Sequence, residues 1–413
     1  MKDSIIIVGG GELTKPAYRI AQELGLYIIG IDQNYYAPAL EYADLMVQAS
    51  TKDIKLVLTE VSKIQGWNIK GVFTCGADVE VTVAAIAELL HLPGISLNVA
   101  HRCNNKHMMH KHLDKNRKTK KAKYALPFGL VELKKKIKSD FTFPCVIKPI
   151  NNCGSRGITI IEAESEIEDA YNSAVNASIR VPNINSDSIP VLVEEYLDGT
   201  KHTVEMITDG KEWKLLSIID THYLSKKYPC ETGLNTTLLD EELQEEGFNF
   251  SVDIARQVGV CYGAHKVDVN IAEGGVIKLI ELTARLSGGY HCQYVSPLAY
   301  GSNDIRAALK MAIGYPLSDI LDDIKHRWNR GAAVRCVFPE PGYVSNILNI
   351  KKVKKLEGVK EVFVTCKMGD KVGPYLNSAD RVCHIIADGE TTEKAIKNAE
   401  CGVSKTIIET RNN

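Results

Sequence analysis

The sequence predicts a mixed α/β and α+β architecture. An open parallel α/β domain comes first, a hairpin-rich α+β region follows, and a small α/β cap ends the chain. Three observations carry this. Strand-like apolar runs alternate with helical spacing through the first ~100 residues, the pattern of a parallel sheet covered on both faces. After residue 140 the strand-like runs follow one another in hairpins instead. From about residue 330, GAAVRCVF, KEVFVTCKMGD and DRVCHIIADG lead into a helix beyond Thr391. With 413 residues the chain exceeds one hydrophobic core, so two to four domains are expected.

The first strand is SIIIVG, residues 4–9, and Gly9-Gly10-Gly11 turns the chain after it. Lys15 to Leu24 has helical spacing and stops at Gly25. Leu26 to Ile31 is a second strand, closed by Asp32. Gly71 to Thr74 is a third, followed by the turn Cys75-Gly76-Ala77-Asp78 and a helix from Val79 to Leu90. Phe143 to Ile147 and Ile158 to Ile161 form a hairpin whose long tip is INNCGSRG, 150–157. Pro190 to Glu195 is a strand ending in two acids. Thr203 to Ile207 and Trp213 to Ile219 pair around Asp209-Gly210, and Phe248 to Val258 is helical. Lys266 to Ile271 and Val276 to Thr283 make a further hairpin around Glu273-Gly274-Gly275.

Composition narrows the function. At 45% apolar and 24% charged residues the chain can build a full core. A net charge of −1 argues against nucleic-acid binding. The basic run KNRKTKKAK, 115–123, is too short and too poor in aromatics to change that; a solvated face or loop is expected there. No apolar run reaches the ~18 residues that span a bilayer. The start MKDSIIIVGGGE enters a strand directly, without the basic opening and small-residue cleavage site of a secretory leader. The 11 cysteines are scattered with no CxxC pair, so free thiols in a reducing compartment are expected and a structural zinc is not. A cytoplasmic protein with neither nucleic-acid nor membrane partners follows.

GGGELTKP invites a dinucleotide reading, but it is not GxGxxG. A tight strand-to-helix turn is expected, placed where a small substrate can touch it. Stronger chemistry begins at Lys148, which ends an apolar strand just before the glycine-containing loop. Backbone N–H groups and an ammonium together suit phosphate oxygens. The GxxxxGK[ST] pattern is absent, so this is no Walker loop. Acids then recur at strand ends: Glu194, Glu195, Asp268 and Glu281. Asp268 and Glu281 occupy two arms of one hairpin, where they can lie side by side. Adjacent carboxylates repel unless a cation neutralises them. Mg²⁺ shared with phosphate oxygens is the economical cation. In ELTARLSGG, 281–289, Arg285 is either the ion-pair partner of a nearby acid or an oxyanion clamp. His291 is either a packed core histidine or a pocket group, and Glu231 in CETGLNTT is either a solvated loop acid or a substrate contact.

Taken in order, NNKHMMHKHL, FPCVIKP, the glycine loop, VLVEEYLDG and ELTARLSGG resemble the ATP-grasp superfamily. These are carboxylate–amine ligases, with biotin carboxylase and carbamoyl phosphate synthetase among their relatives. The resemblance covers nearly the whole chain. It implies an ATP-grasp fold with a pre-ATP-grasp α/β domain at 1–105 and an ATP-grasp domain at 106–330. A small lid subdomain would fall at about 125–197 and a C-terminal α/β subdomain at 331–413. ATP with Mg²⁺, or Mn²⁺ in its place, is the implied cofactor set. Lys106 and Lys148 match the ATP lysines. Ser155, Arg156 and Gly157 fall in the loop that covers the phosphates. Glu194, Glu195, Tyr196 and Leu197 match the adenine hinge. His202 matches the ribose contact of the biotin carboxylase branch, whereas other branches place glutamate near Lys201. Asp268 and Glu281 match the metal pair. Arg285, Gly288, Gly289, Glu231 and His291 fall at the substrate, with Glu231 facing the amine. Catalysis is expected from Arg285, Glu281 and Lys148. One position departs: many members read E-x-N-x-R, and Thr283 offers the second metal only a hydroxyl where they have asparagine.

The layout, including GDKVGPYLNSADRVCHIIADGETTEKA near the end, is most similar to the dipeptide-forming L-amino-acid ligase branch. This implies an ATP-dependent ligase that joins a small-molecule carboxylate, of an amino acid, to an amine through an acyl phosphate. A homodimer is the implied assembly. Two alternatives stand beside it: activation of bicarbonate or formate, as in carboxylases and purine biosynthesis, and a non-catalytic ATP-binding regulator.

Overall fold

The computed structural model describes residues 2–178 and 189–412. The 179–188 stretch of the expected lid subdomain lies outside them. The N-terminal region builds a four-stranded parallel sheet, in the order Leu45–Gln48, Tyr27–Asp32, Asp3–Val8, Asn68–Phe73. Ile5, Ile6, Ile7 and Val8 are all fully buried. Ile5 and Ile7 pack with Ala17, Tyr18 and Ala21 of the helix Lys15–Glu23; Ile6 and Val8 pack with Val57 and Ile86 on the other face. A parallel strand covered on both sides needs an unbroken apolar run, which SIIIV supplies. Among the elements that escaped the sequence pattern are an edge strand and a helix of this sheet. Leu45–Gln48 is a four-residue edge strand whose residues are alternately half-buried and exposed. The helix Ile54–Val61 buries only Val57 and Val61 and is started by Asp53, which accepts the Leu56 N–H at 3.0 Å.

The centre is an eight-stranded antiparallel sheet. Its order is Ile277–Thr283, Gly263–Ile271, Thr200–Thr208, Trp213–Tyr223, Glu231–Thr236, Gly331–Val337, Cys383–Gly389, Val359–Val364. The last three strands come from the C-terminal segment, which shares this sheet rather than folding apart from it. Pairing Gly331–Val337 onto Glu231–Thr236 removes an open sheet edge. The helix Glu241–Val258 covers one face, packing on Val204, Met206, Val267 and Val269. It begins at Glu241 rather than Phe248 because its polar opening turns show no apolar stripe. Asp240 caps it, accepting the Leu243 N–H at 2.9 Å, and Gly259 ends it with a φ of 95°.

A second antiparallel sheet, Tyr124–Ala125, Val191–Glu195, Cys145–Pro149, Thr159–Ile161, is backed by the helices Gly129–Asp140 and Ile167–Ala177. A three-stranded sheet of Lys371–Val372, Gly342–Leu348 and Ile407–Arg411 completes the C-terminal segment. Among the described residues, no helix is long and apolar enough to cross a membrane.

Candidate active site

The Gly263–Ile271 and Ile277–Thr283 hairpin sets Asp268 directly opposite Glu281, with a bulge just after Asp268. Thr203, on the neighbouring strand, donates its hydroxyl to Asp268 at 2.7 Å. Two lysines balance the acids. Lys106 reaches Glu281 at 3.0 Å, and Lys266 contacts Asp268 and lies 3.6 Å from Glu281. Burial alone would raise the Glu281 carboxyl; Lys106 and Lys266 outweigh it and hold Glu281 well below the usual carboxylate range. Asp268 is raised instead, first by burial and then by the charge of Glu281.

This donor set fits Mg²⁺. Two adjacent hard-oxygen carboxylates are what a phosphate-shared Mg²⁺ uses, and such an ion takes its remaining oxygens from phosphate and water. No group of three or more His, Cys, Asp or Glu side chains converges on a metal position among the described residues. Thr283 is buried two residues beyond Glu281 and lines the same small cleft with Asp78, Lys106, Asn152, Cys153 and Glu281.

Across the cleft, Lys148 lies on Cys145–Pro149 and contacts Glu194 of the adjacent strand at 2.6 Å. His110 holds the other oxygen of Glu194 at 2.8 Å. Burial opposes ionisation of Glu194, but Lys148 and His110 bring its carboxyl down to about 2. Glu194 is thus tied between two partners. His110 sits one turn beyond Lys106 on the helix Lys106–Leu113, so one helix face serves both acids. Its ring stacks on Tyr124 at 4.6 Å. Lys106 also donates to the Asn152 carbonyl at 3.1 Å, which joins the Asp268–Glu281 hairpin to the glycine loop.

That loop is built for close approach. A Cβ on Gly157 would meet that of Ala177 at 2.4 Å, and Gly154 and Ser155 take φ values of +61° and +60°. Arg156 is exposed and donates to the Cys153 carbonyl at 3.2 Å. The loop also meets the C-terminal segment, since the Ser378 N–H donates to the Gly154 carbonyl at 2.9 Å.

At the hinge, Glu195 pairs with Lys278 at 2.8 Å, and Lys226 sits 4.7 Å over the Tyr196 ring. The Leu197 carbonyl accepts from Lys201 at 2.6 Å, and burial pushes Lys201 down to about 8. Side chains alternate along Thr200–Thr208. Thr203 faces Asp268, so His202 points to the opposite face with Val204 and Met206. Both His202 ring nitrogens are engaged there, by Asp220 at 2.8 Å and Thr200 at 2.7 Å. The structure does not bring His202 together with the other residues expected at the nucleotide.

Arg285 is buried just beyond the strand Ile277–Thr283, where it meets Asp78. Its Nε lies 2.8 Å from Asp78 Oδ1, and a terminal nitrogen contacts the same oxygen. Asp78 follows the parallel strand Asn68–Phe73, so this pair locks the N-terminal sheet to the Asp268–Glu281 hairpin. Burial opposes the charge of Asp78, but Arg285 wins and keeps it ionised. Gly288 packs against Gly76, and Gly289, with φ +64°, lies beside Glu231. Glu231 is no solvated loop acid: Arg381 of the C-terminal segment holds it at 2.7 Å. His291 is fully buried, bonds Ser217 at 2.7 Å, and is pushed down to about 4 by burial, so it is a neutral core histidine.

Four residues of this site escaped sequence reasoning: Asp78, His110, Lys266 and Arg381. Three left a signal. Asp78 ends a turn at the carboxyl end of a parallel strand, His110 follows Lys106 at helical spacing, and Lys266 shares a strand face with Asp268 two residues on. Arg381 left none, because its partner Glu231 lies 150 positions away.

Comparison with known proteins agrees with this geometry. The family model described as an ATP-grasp domain matches residues 141–293, and the model described as L-amino acid ligase C-terminal domain 2 matches residues 335–411. Dapdiamide A synthase of Enterobacter agglomerans is 25% identical over 393 residues, 89% of this chain and 88% of that protein. Formate-dependent phosphoribosylglycinamide formyltransferase of Sulfurisphaera tokodaii is 22% identical over 415 residues, 98% of this chain and 96% of that protein. The crystal structure of L-amino acid ligase from Bacillus licheniformis shares the fold with a TM-score of 0.84 at 19% identity, covering 100% of this chain and 99% of that one. The chain thus joins a segment that matches an ATP-grasp domain to one that matches the L-amino acid ligase C-terminal domain, the pairing expected of an ATP-grasp carboxylate–amine ligase.

Proposed function

We propose that this protein joins the carboxylate of an amino acid to an amine, consuming ATP and releasing ADP and phosphate. One observation carries the reading furthest. Arg381, from the segment that matches the L-amino acid ligase C-terminal domain, holds Glu231 beside Gly289, next to the Arg285 end of the metal hairpin. An acid that would face the amine and a guanidinium that would face the carboxylate thus lie near opposite ends of the short segment 285–289. Lys106 and Lys148 would meet the ATP phosphates, and residues 152–157 would cover them. Tyr196 and Leu197 would flank the adenine. Asp268 and Glu281 would hold Mg²⁺, or Mn²⁺ in its place, which when bound neutralises phosphate charge. Arg285 would orient the carboxylate for phosphorylation, and Glu231 the incoming amine. Positioning and charge stabilisation do the work.

A phosphate-release screen over pairs of amino acids and small carboxylates tests this. Release that depends on an amino acid supports it. The full-length likeness to a formate-dependent formyltransferase favours one other reading, activation of formate. Release that depends on formate and not on any amino acid would select that one.

A further inference from the structure

The strand Thr200–Thr208 presents Thr203 and Glu205 to the site face. Thr203 holds Asp268; two residues on, Glu205 lies fully buried beneath the segment that follows Arg285. Glu205 Oε1 accepts the Ser287 backbone N–H at 2.5 Å. Among the described residues its Oε2 has no hydrogen-bond partner; it lies 3.8 Å from His291 Nδ1, which has none among them either. The other ring nitrogen of His291 is engaged by Ser217. Ser287 joins Arg285 to Gly288 and Gly289, so Glu205 props the backbone that carries the proposed carboxylate clamp.

We propose that Glu205 is a positioning residue that acts as a neutral carboxylic acid, one oxygen accepting the Ser287 N–H and its hydroxyl facing His291. The inference rests on the ligase reading above. The surroundings argue for it. Lys266, Arg285, Ser287, His291, Cys292 and Asp304 are the polar and titratable groups facing Glu205. Lys266 is its cross-strand partner, but that ammonium is engaged by Asp268 and Glu281. Arg285 is engaged by Asp78. Burial pushes Glu205 up to about 7 and His291 down to about 4, so the two do not form an ion pair at neutral pH. Asp304 is also raised by burial, to about 6. An ionised Glu205 would draw Lys266 and Arg285 off their carboxylates and disturb the metal pair and the clamp together. Kept neutral, it leaves both cations in place.

The test compares wild type with Glu205→Gln and Glu205→Ala in the full chain. Phosphate release is followed from about pH 5.5 to 9 with ATP, Mg²⁺ and an equimolar mixture of the standard L-amino acids. Glutamine keeps the acceptor and cannot ionise. The wild-type rate should fall as pH rises through about 7, and Glu205→Gln should keep most of the low-pH rate without that fall. Glu205→Ala should lose about tenfold or more in kcat/KM while binding a non-hydrolysable ATP analogue within about twofold of wild type. A Glu205→Gln profile with the wild-type fall, or damage equal to that of Glu205→Ala, overturns the proposal. A second readout needs no substrate. A carboxyl raised on folding loses stability as pH climbs from about 4.5 to about 7, because the folded form keeps the proton longer. The Tm advantage of Glu205→Gln over wild type should therefore grow between pH 5 and 8; a constant difference overturns the proposal. Absence of turnover in wild type, with that growing advantage present, would count against the ligase reading and leave the neutral acid standing.

Discussion

Removing Asp78 should damage stability and carboxylate use together. Arg285 is buried, and Asp78 is its carboxylate partner through two contacts; the remaining contact is to the Leu286 carbonyl at 3.0 Å. At an effective dielectric of ~20, opposite charges ~4 Å apart attract by ~4 kcal/mol. Removing one member of a buried pair costs about 3–5 kcal/mol, because the other charge stays buried without compensation. Glu80 moderates the loss. Burial and then the charge of Asp78 raise its carboxyl, so deleting Asp78 lets Glu80 ionise more easily and compensate Arg285 in part. Asp78→Ala should therefore lie near the lower end, about 3 kcal/mol. The measurement is urea unfolding of the two single variants and the double variant with Arg285→Ala, closed as a mutant cycle. A coupling of about 2 kcal/mol or more is expected. Because the pair joins the N-terminal sheet to the Arg285 segment, Asp78→Ala should also raise KM for the activated carboxylate while ATP affinity changes little. A stability change below about 0.5 kcal/mol, the size expected of an ordinary surface substitution, would refute the pair as a buried lock.

Glu281→Gln should cut turnover by about 30- to 1,000-fold by removing a charged group from the proposed metal pair, and excess Mg²⁺ should recover part of it in a phosphate-release titration; full activity would take Glu281 out of that pair. Backbone exchange across residues 151–157 should slow on adding a non-hydrolysable ATP analogue with Mg²⁺, as a loop closing over phosphates would; identical exchange would argue against a covering loop. Glu194 is lowered to about 2 in the fold against 4.5 ordinarily, so its stabilisation is complete above pH 4.5 and fades as pH drops toward 2. That difference is worth about 3 kcal/mol by linkage, and Glu194→Gln should flatten the acid limb of stability over that window; an unchanged limb would show that Lys148 and His110 do not hold it.

The sequence by itself determined the local elements that carry the chemistry. The run SIIIV could only be a strand buried on both faces, and Glu273-Gly274-Gly275 between two apolar arms could only close a hairpin. That hairpin brings Asp268 and Glu281 together through contacts near in the chain, so their juxtaposition was legible. Lys148 beside a glycine loop was legible for the same reason. What stands opposite those residues was decided by tertiary structure. Asp78 and Arg285 are 207 positions apart, and Glu231 and Arg381 are 150 apart. No periodicity links residues so distant; only the docking of the parallel sheet and the pairing of Gly331–Val337 onto Glu231–Thr236 bring them into contact. The facing of single side chains was decided there too. His202 and Thr203 are neighbours in sequence, yet the pleat sends one to the helix Glu241–Val258 and the other to Asp268. Which goes where depends on strand register, and register is settled by burying Val204 and Met206 under that helix, not by the residues at the site.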